Sequence, residues 1–253
     1  MKKYLEITLN TIKNNLSGQN FTAQRLLEAL KLSEPTLPIS TLRWRLYSLK
    51  NAGKIESPAR GIYTLSKHEK FEPNLESGLY QMTKEIKKQF PYARFCIWPS
   101  NLLNQFTNHQ PSIYFNIIEV EKDAIEGVFS HLKQKYKNMF LNPNKKEIDY
   151  YISSHSKSII VKTLYQRAPL TIDQTEKNPF PKLEKILVDL IAEPDIFSIY
   201  QGSELKNIWR EVCQRYAINF STLNNYAKRR KVEGKVNQLI GELGLHTYRE
   251  QNL

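Results

Sequence analysis

In the first 65 residues, apolar side chains recur at the spacing of an α-helix in three stretches, which two short breaks separate. A segment rich in turn-forming residues follows the third stretch. Leucine and isoleucine recur every three or four residues within residues 5–16, which predicts an amphipathic helix. The pattern resumes in residues 22–30, where Thr22 can cap a second helix. A third helix is predicted over residues 40–52, and Gly53 ends it.

A short hairpin is predicted directly after the third helix. Residues 54–56 and 61–65 have strand-forming side chains and flank a turn that contains Pro58 and Gly61. Three helices followed by a hairpin is the element order of a winged helix-turn-helix. The expected N-terminal domain of this type spans residues 1–68.

A second, larger domain is expected at residues 77–253, after a linker at residues 66–76 that is poor in apolar side chains. Helices are predicted at 77–89, 101–107, 123–136 and 145–152, and strands at 94–98, 113–120, 139–141 and 158–164. A polar connection is predicted at 170–181, followed by helices at 182–192, 203–216, 220–230 and 232–243. The expected fold class is α+β: a winged helix-turn-helix domain, then a mixed α/β domain with a helical C-terminal tail.

Positive charge is concentrated in two parts of the chain. The formal net charge is +12, and residues 1–70 hold 12 Lys and Arg against 5 Asp and Glu. A second cluster, Lys228-Arg229-Arg230-Lys231, contributes much of the remaining excess. Such basic patches favour an anionic partner, with nucleic acid as the first expectation.

The composition is that of a globular protein, with 40% hydrophobic and 25% charged residues. No apolar run approaches the roughly 20 residues of a membrane span, and the start has no apolar block followed by small cleavage residues. The two cysteines, Cys96 and Cys213, are too few for a disulfide scaffold. We therefore expect a soluble protein of the cytoplasm.

The third predicted helix has two chemically different faces. A narrow apolar stripe forms the expected core face: Ile39, Leu42, Leu46 and Leu49. The outward side carries polar and aromatic residues with basic flanks: Ser40, Arg43, Trp44, Arg45, Tyr47, Ser48, Lys50 and Asn51. No acidic residue lies between Thr36 and Ile55. A helix that only needed a solvated outer face would more often show Glu and Lys there.

This outward face has the composition of a DNA-reading surface. Arg can make bidentate contacts to guanine or phosphate, and Ser, Asn and Tyr can reach phosphates or base edges. The recognition helix of a helix-turn-helix enters the major groove in this orientation. In the hairpin, Lys54 and Arg60 are placed to contact the adjacent backbone. An alternative stays open, in which Trp44 or Tyr47 docks this domain onto another protein surface.

Two groups of sequence runs, one at each end of the chain, resemble a known family. The N-terminal runs are Thr41-Leu42-Arg43-Trp44-Arg45-Leu46, Gly53-Lys54-Ile55 and Arg60-Gly61-Ile62-Tyr63. The C-terminal runs are Pro181–Leu190, Phe197, Tyr200–Leu205, Arg215–Phe220 and Tyr226–Arg230. In this order they resemble AbiEi-type antitoxins, which belong to bacterial type IV toxin–antitoxin and abortive-infection modules. Residues 77–165 fit in length and alternation without a sharp motif.

The resemblance implies a non-enzymatic antitoxin without a cofactor that also regulates its own transcription. Relatives bind inverted repeats of double-stranded DNA in their own promoters, and their C-terminal domain counters a cognate nucleotidyltransferase toxin without requiring a stable complex. Carried onto this chain, the DNA-contact candidates are Ser40, Arg43, Trp44, Tyr47, Lys50, Lys54 and Arg60. The candidates for a second, phosphate-level contact are Lys228, Arg229, Arg230 and Lys231.

The sequence contains fragments of two catalytic patterns, and neither is complete. A restriction-type nuclease needs an acid and a Glu-x-Lys on neighbouring strands, whereas Glu85-Ile86-Lys87 and Glu204-Leu205-Lys206 fall on predicted helices. Glu119 and Glu121 are paired acids without the lysine, and we interpret them as a solvated strand end. Gly202-Ser203 lacks the Asp-x-Asp pair with which a nucleotidyltransferase binds metal.

Metal and thiol chemistry have no complete pattern either. The five histidines are widely separated, so no metal site is predicted. We interpret Cys96 as a small apolar residue in a strand, and we expect no enzymatic activity. Two alternatives stay open: a protein-interaction module whose C-terminal domain is an inactive nuclease-like scaffold, and a metal-dependent nuclease that uses Glu119 and Glu121.

Overall fold

A computed structural model of the chain describes residues 2–69, 71, 73, 75–172 and 178–245. Parts of the predicted linker (Lys70, Glu72 and Asn74), of the predicted polar connection (173–177) and of the C-terminus (from His246 onward) lie outside the described residues. The chain divides into two units: Met1–Phe71 with Cys213–Ala217 and Leu245–Leu253 form unit 1, and Glu72–Val212 with Ile218–Gly244 form unit 2. Both helices and sheets are present, which confirms a mixed α and β fold.

Unit 1 combines three helices with a small antiparallel sheet. Its elements are α1 (Lys2–Asn15), β1 (Phe21–Thr22), α2 (Ala23–Leu30), α3 (Ile39–Asn51), β2 (Ile55–Ala59) and β3 (Ile62–Leu65). The strands lie in the order β1-β3-β2. The three predicted helices and the predicted hairpin are confirmed. Thr22 caps α2, because its Oγ1 accepts a hydrogen bond of 3.2 Å from the backbone N–H of Arg25.

An apolar cluster fills the interior of unit 1. Its buried members are Ile12, Leu16, Phe21, Leu26, Leu30, Leu42, Leu46, Leu49 and Ile55. The predicted core stripe of α3 is therefore confirmed for its three leucines, while Ile39 packs against the cluster only partly buried. Since this stripe is inside, the opposite face of α3 is left outside.

Arg45 points into unit 1 and not outward as predicted. Its guanidinium forms a bidentate ion pair with Glu34 in the α2–α3 connection, at 2.9 Å (Nη1–Oε1) and 2.6 Å (Nη2–Oε2). Nη1 also donates to Oγ1 of Thr8 on α1 at 3.2 Å. The hydrogen bonds from Arg45 hold the pKa of Glu34 below its ordinary value. This clamp joins α1, the α2–α3 connection and α3, and it fixes which face of α3 stays exposed.

Unit 2 is built around a four-stranded sheet. Its first elements are α4 (Ser77–Gln89), β4 (Phe95–Pro99), a 3-10 helix (Ser100–Phe106), β5 (Phe115–Val120), α5 (Ile125–Lys133), β6 (Met139–Leu141), α6 (Lys145–Glu147), a π-helical turn (Ile148–Ile152) and β7 (Ser158–Thr163). The strand order is β4-β5-β7-β6, in which β4 runs antiparallel to β5 and the other neighbours are parallel. β4 and β5 are buried along their whole length, so the sheet is the interior of this unit.

The remainder of unit 2 begins with a second hairpin, which replaces the predicted polar connection. Its strands are β8 (Leu170–Ile172) and β9 (Pro179–Pro181), which pair antiparallel, and the ring of Phe180 on β9 is buried. Helices α7 (Leu183–Ala192), α8 (Ser203–Arg215), α9 (Phe220–Arg229) and α10 (Glu233–Glu242) follow, and the last three residues of α8 are assigned to unit 1. α7 is buried from Leu183 to Ile191 and carries charged residues into the interior. Within the described residues, no helix has both the length and the apolar character needed to cross a membrane.

Replacing Glu34 by Gln is expected to destabilise unit 1, because the buried guanidinium of Arg45 loses its charged partner. The free energy of unfolding should fall by about 2–4 kcal/mol, the scale for breaking one side of a largely buried ion pair. Urea unfolding measures this loss. Glu28→Gln removes an exposed acid from α2 and is the matched control; equal stability of the two variants would contradict the clamp.

Candidate nucleic-acid interface

The outward face of α3 carries the predicted contact residues in exposed positions. Ser40, Arg43, Trp44, Tyr47 and Lys50 are all exposed, and the exposed fractions are 46% for Trp44 and 65% for Tyr47. Ser40, Arg43, Tyr47 and Lys50 are spaced three or four residues apart, and Trp44 lies four residues after Ser40 and three before Tyr47. The five residues therefore share one side of the helix, opposite the buried leucines. The structure therefore brings five of the seven N-terminal candidates together on one surface.

The other two N-terminal candidates lie on the β2–β3 hairpin segment that follows α3. Lys54 is exposed directly after Gly53, whose φ of 64° ends the helix, and Arg60 is exposed in the turn before Gly61, whose φ is 78°. Glycine is favoured at both places because a side chain strains a left-handed backbone. Ser48 is half-buried, and the side chain of Asn51 lies outside the described part of the structure.

The cations on this surface of unit 1 have no acidic partner within the described part of the chain. The nearby carboxylate of Glu34 is paired with Arg45. Four outward cations form no ion pair with a described residue: Arg43, Lys50, Lys54 and Arg60. Their charge is therefore open to an external anion. Together with the exposed aromatic rings, this arrangement can contact phosphates and base edges.

The second predicted cluster is divided between the surface and the interior of unit 2. Three members are exposed at the C-terminal end of α9: Lys228, Arg229 and Lys231. Arg230 is only 8% exposed, and its guanidinium is bound to Asp189 and lies 2.7 Å from Glu193. The prediction that Arg230 contacts phosphate is therefore corrected, because ion pairs hold its side chain inside.

Arg230 belongs to a largely buried set of three carboxylates and three cations that joins the sheet of unit 2 to its helices. Its members are Glu119 on β5, Lys162 on β7, Lys185 and Asp189 on α7, Glu193 after α7 and Arg230 after α9. Nζ of Lys185 lies 2.5 Å from Oε1 of Glu119 and 2.5 Å from Oδ2 of Asp189. Lys162 pairs with Glu193 and lies 3.5 Å from Oε2 of Glu119. This set is named the buried charge network.

Mutual pairing keeps the members of the buried charge network ionised. Burial alone would raise the pKa of Glu119, but the charges of Lys162 and Lys185 outweigh it and hold that pKa below its ordinary value of 4.5. The pKa of Asp189 is lowered in the same way against the effect of burial. Burial lowers the pKa of Lys185, but the neighbouring carboxylates outweigh it and leave the pKa well above 10.5.

Neutral donors complete the surroundings of the two central carboxylates. The indole N–H of Trp98 donates to Oε1 of Glu119 at 3.1 Å, and the hydroxyl of Tyr226 donates to Oδ1 of Asp189 at 2.9 Å. The thiol of Cys96 lies 3.8 Å from Oε1 of Glu119, and burial raises its pKa. These contacts offset part of the cost of burying the two charges; Oε2 of Glu119 has only the ion pair with Lys162, at 3.5 Å, and no hydrogen bond from a described residue.

Glu119 is not the solvated strand end that the sequence indicated. Its side chain is fully buried, and its register partner across the sheet is Lys162 on β7. Burial is possible because this lysine arrives from the neighbouring strand, 43 positions later in the chain. Among the described residues, no group of three or more His, Cys, Asp or Glu is arranged to hold a metal ion.

A turn in unit 2 adds residues that the sequence analysis did not select. Residues 165–168 form a turn after β7 that is closed by a hydrogen bond of 3.2 Å from the N–H of Ala168 to the carbonyl of Tyr165. The guanidinium carbon of Arg230 lies 3.9 Å from the centre of the Tyr165 ring. A single Tyr in a loop has no periodic signal, so only the folded structure relates it to the basic cluster.

Comparisons with known proteins identify a family but no activity. Residues 41–245 match the model of a family described as a family of unknown function (DUF6577). No curated protein matches the chain. A crystal structure of the RV2827C protein from Mycobacterium tuberculosis aligns over 94% of this chain and 81% of its own, with 11% sequence identity and a TM-score of 0.26. This score is too low to indicate a shared fold.

Replacing Glu119 by Gln is expected to destabilise unit 2 strongly. The change leaves Lys162 and Lys185 buried with one carboxylate fewer, which typically lowers the free energy of unfolding by about 3–5 kcal/mol. Chemical denaturation measures the loss. Glu126→Gln, at an exposed position in α5, is the control and should change stability by about 1 kcal/mol or less. Similar values for both variants would show that the network does not hold unit 2 together.

The buried charge network also predicts how stability depends on pH. Because the folded-state pKa values of Glu119 and Asp189 are lowered, these carboxylates stabilise the fold above their ordinary pKa values, and this contribution is lost as the pH falls through the folded values. Lys162 and Lys185 have raised pKa values, so their contribution is present below pH 10.5 and is lost as the pH rises through the raised values. The free energy of unfolding, measured by denaturation at a series of pH values, should be nearly constant at intermediate pH and should fall at both acid and alkaline pH. The Glu119→Gln variant should show a shallower acid limb, and an unchanged acid limb would contradict this origin.

Proposed function

Because the chain belongs to DUF6577, a family of unknown function, we propose its function from the surfaces of the chain itself. Unit 1 binds double-stranded DNA, and the protein is an antitoxin-like regulator of its own promoter. One observation carries the proposal: the outward face of α3 exposes basic and aromatic side chains, and the chain has no acid between Thr36 and Ile55.

In this proposal unit 1 is a winged helix-turn-helix. α2 and α3 form the helix-turn-helix, α3 is the recognition helix, and the hairpin of β2 and β3 is the wing. The order of three helices and the sheet β1-β3-β2 support this arrangement. The Arg45–Glu34 clamp supports it as well, because it holds the α2–α3 connection and α3 in one fixed relation.

The exposed residues of α3 suit the major groove of DNA. That groove, about 12 Å wide, admits an α-helix and exposes the donors and acceptors of every base pair. Arg43 can contact guanine or phosphate in a bidentate way, and Ser40 and Tyr47 can donate hydrogen bonds to phosphates or base edges. Lys50, Lys54 and Arg60 then supply charge for the flanking phosphates.

The resemblance to AbiEi-type antitoxins supports the wider biological role in this proposal. The protein binds inverted repeats in its own promoter and counters a nucleotidyltransferase toxin in the cytoplasm, with no requirement for a stable complex. Its role is non-enzymatic and needs no cofactor. On unit 2, Lys228, Arg229 and Lys231 are exposed and supply phosphate-level contacts, whereas Arg230 has a structural role.

A second candidate function is supported by the two exposed aromatic side chains of α3. Trp44 and Tyr47 are the residue types that most often anchor protein–protein interfaces, and their exposed fractions are 46% and 65%. In this alternative the outward face of α3 packs on a protein partner, and unit 2 is a non-catalytic scaffold. Co-expression with the adjacent gene product distinguishes the two functions, since a stable complex without DNA affinity supports the alternative.

Replacing Arg43 and Lys50 together by Ala should weaken binding to the DNA upstream of the protein's own gene by about tenfold or more. Loss of two phosphate-neutralising cations should also make the plot of log K against log salt concentration less steep by about 1.8, at about 0.9 per phosphate. Gel shift and fluorescence anisotropy over a salt series measure both effects, and circular dichroism checks that the variant is folded.

The matched control removes two exposed lysines from α1, with Lys3→Ala and Lys13→Ala. This variant changes the net charge by the same amount but leaves α3 intact, so its affinity should stay within about threefold of the wild type. If the Arg43 and Lys50 variant binds the promoter as well as the wild type does, α3 is not the recognition helix. If both double variants lose affinity equally, the binding reflects net charge alone.

A further inference from the structure

The aromatic ring of Tyr165 in unit 2 packs with one face against the side chain of Arg230. One face of the ring lies over the guanidinium of Arg230, at 3.9 Å, while 43% of the residue remains exposed. Arg230 is itself fixed by Asp189 and Glu193 of the buried charge network. The ring is therefore held in place by a buried cation, and part of the residue is open to solvent and to a ligand.

The backbone that carries this ring has an unfavourable conformation, which its surroundings hold in place. Arg167 has a φ of 54°, a left-handed conformation that residues with a side chain rarely adopt. Two arginines brace the turn: Arg94 donates to the carbonyl of Ala168 at 2.9 Å, and Arg229 donates to the carbonyl of Arg167 at 3.4 Å. Because two hydrogen bonds hold this strained turn in place, we infer that the position of its side chains has a functional role.

The residues around the ring are predominantly cationic. Arg94 and Arg229 are held at the turn, Arg167 is part of it, and all three are exposed. Lys231, next to Arg230, is exposed as well. The charge of Lys228 is partly neutralised by Glu233, whose Oε1 lies 3.3 Å from Nζ of the lysine. Three further acids contact this group: Asp189 and Glu193 pair with Arg230, and Oε1 of Glu121 accepts a hydrogen bond of 3.0 Å from the backbone N–H of Arg94. The surface therefore suits a ligand that combines a planar ring with negative charge.

We propose that the Tyr165 turn binds a single-stranded nucleic acid, with one unpaired base stacked on Tyr165 and its flanking phosphates paired with Arg94, Arg167 and Arg229. A duplex keeps its bases stacked inside the helix, so it would use only the cations of this surface and leave the ring without a role. An unpaired base of RNA or DNA can leave its own stack and lie on the tyrosine. The proposed site uses Arg94, Arg167 and Arg229 of unit 2, and it does not depend on the assignment of α3 as the recognition helix.

The test measures binding of labelled oligonucleotides to the full chain carrying Arg43→Ala and Lys50→Ala, which removes the contribution proposed for α3. Single strands of RNA and of DNA about twelve nucleotides long and a duplex of the same sequence are compared by fluorescence anisotropy. Single strands should bind more tightly than the duplex. Tyr165→Ala should raise the Kd for single strands about fivefold or more, because base stacking on one aromatic side chain is lost. Tyr165→Phe keeps the ring and should retain most of the affinity.

Two further variants separate stacking from charge and from folding. Arg167→Gly removes a cation but favours the left-handed backbone, so the turn should persist while the Kd rises and the salt dependence becomes shallower by about 0.7. Tyr150→Ala removes another exposed tyrosine of unit 2, with an exposed fraction of 73%, and should leave the Kd unchanged. The proposal is overturned if Tyr165→Ala binds single strands as the wild type does, if the duplex binds as tightly as the single strands, or if no oligonucleotide binds.

Discussion

Unit 2 depends on the requirement that charges in a protein interior be paired. Glu119 on β5 cannot be buried without the lysines that reach it from β7 and α7, and Asp189 cannot be buried without Lys185 and Arg230. Apart from the Lys185–Asp189 pair, which lies within α7, these contacts join segments that lie far apart in the chain. The sheet, α7 and the end of α9 are therefore fixed relative to one another by the same set of ion pairs, because a misplaced member would leave a buried charge unpaired.

The same network determines which basic residues reach the surface of unit 2. Because Arg230 turns inward to Asp189, its neighbours Arg229 and Lys231 are left outside. The inward arginine also lies beneath Tyr165 and supports its exposed ring. A structural ion pair and a candidate binding surface thus share one side chain, and this connects the stability of unit 2 to the ligand that we propose for it.

The elements of both units could be predicted from the sequence where the signal is local. The apolar spacing of α3, the cap at Thr22 and the hairpin around Gly61 each depend on residues close in sequence. The inward turns of Arg45 and Arg230 could not be predicted, since their partners Glu34 and Asp189 become neighbours only after folding.

The residues of the candidate sites could likewise be predicted from the sequence only where their positions depend on residues nearby in the chain. The exposed face of α3 follows from helical periodicity, so its five candidates could be placed from the sequence. The burial of Glu119 depends on the β5–β7 register, and the Tyr165 turn depends on the end of α9; neither has a local signature.

The central claim, that the outward face of α3 contacts DNA, can be tested directly through the three tryptophans of the chain. Trp44 is exposed on that face, whereas Trp98 and Trp209 are fully buried in unit 2. In nitrogen-15 NMR spectra, addition of promoter DNA should shift the indole N–H signal of Trp44 and leave the other two in place. An unchanged Trp44 signal in a sample that has bound the DNA would contradict the account.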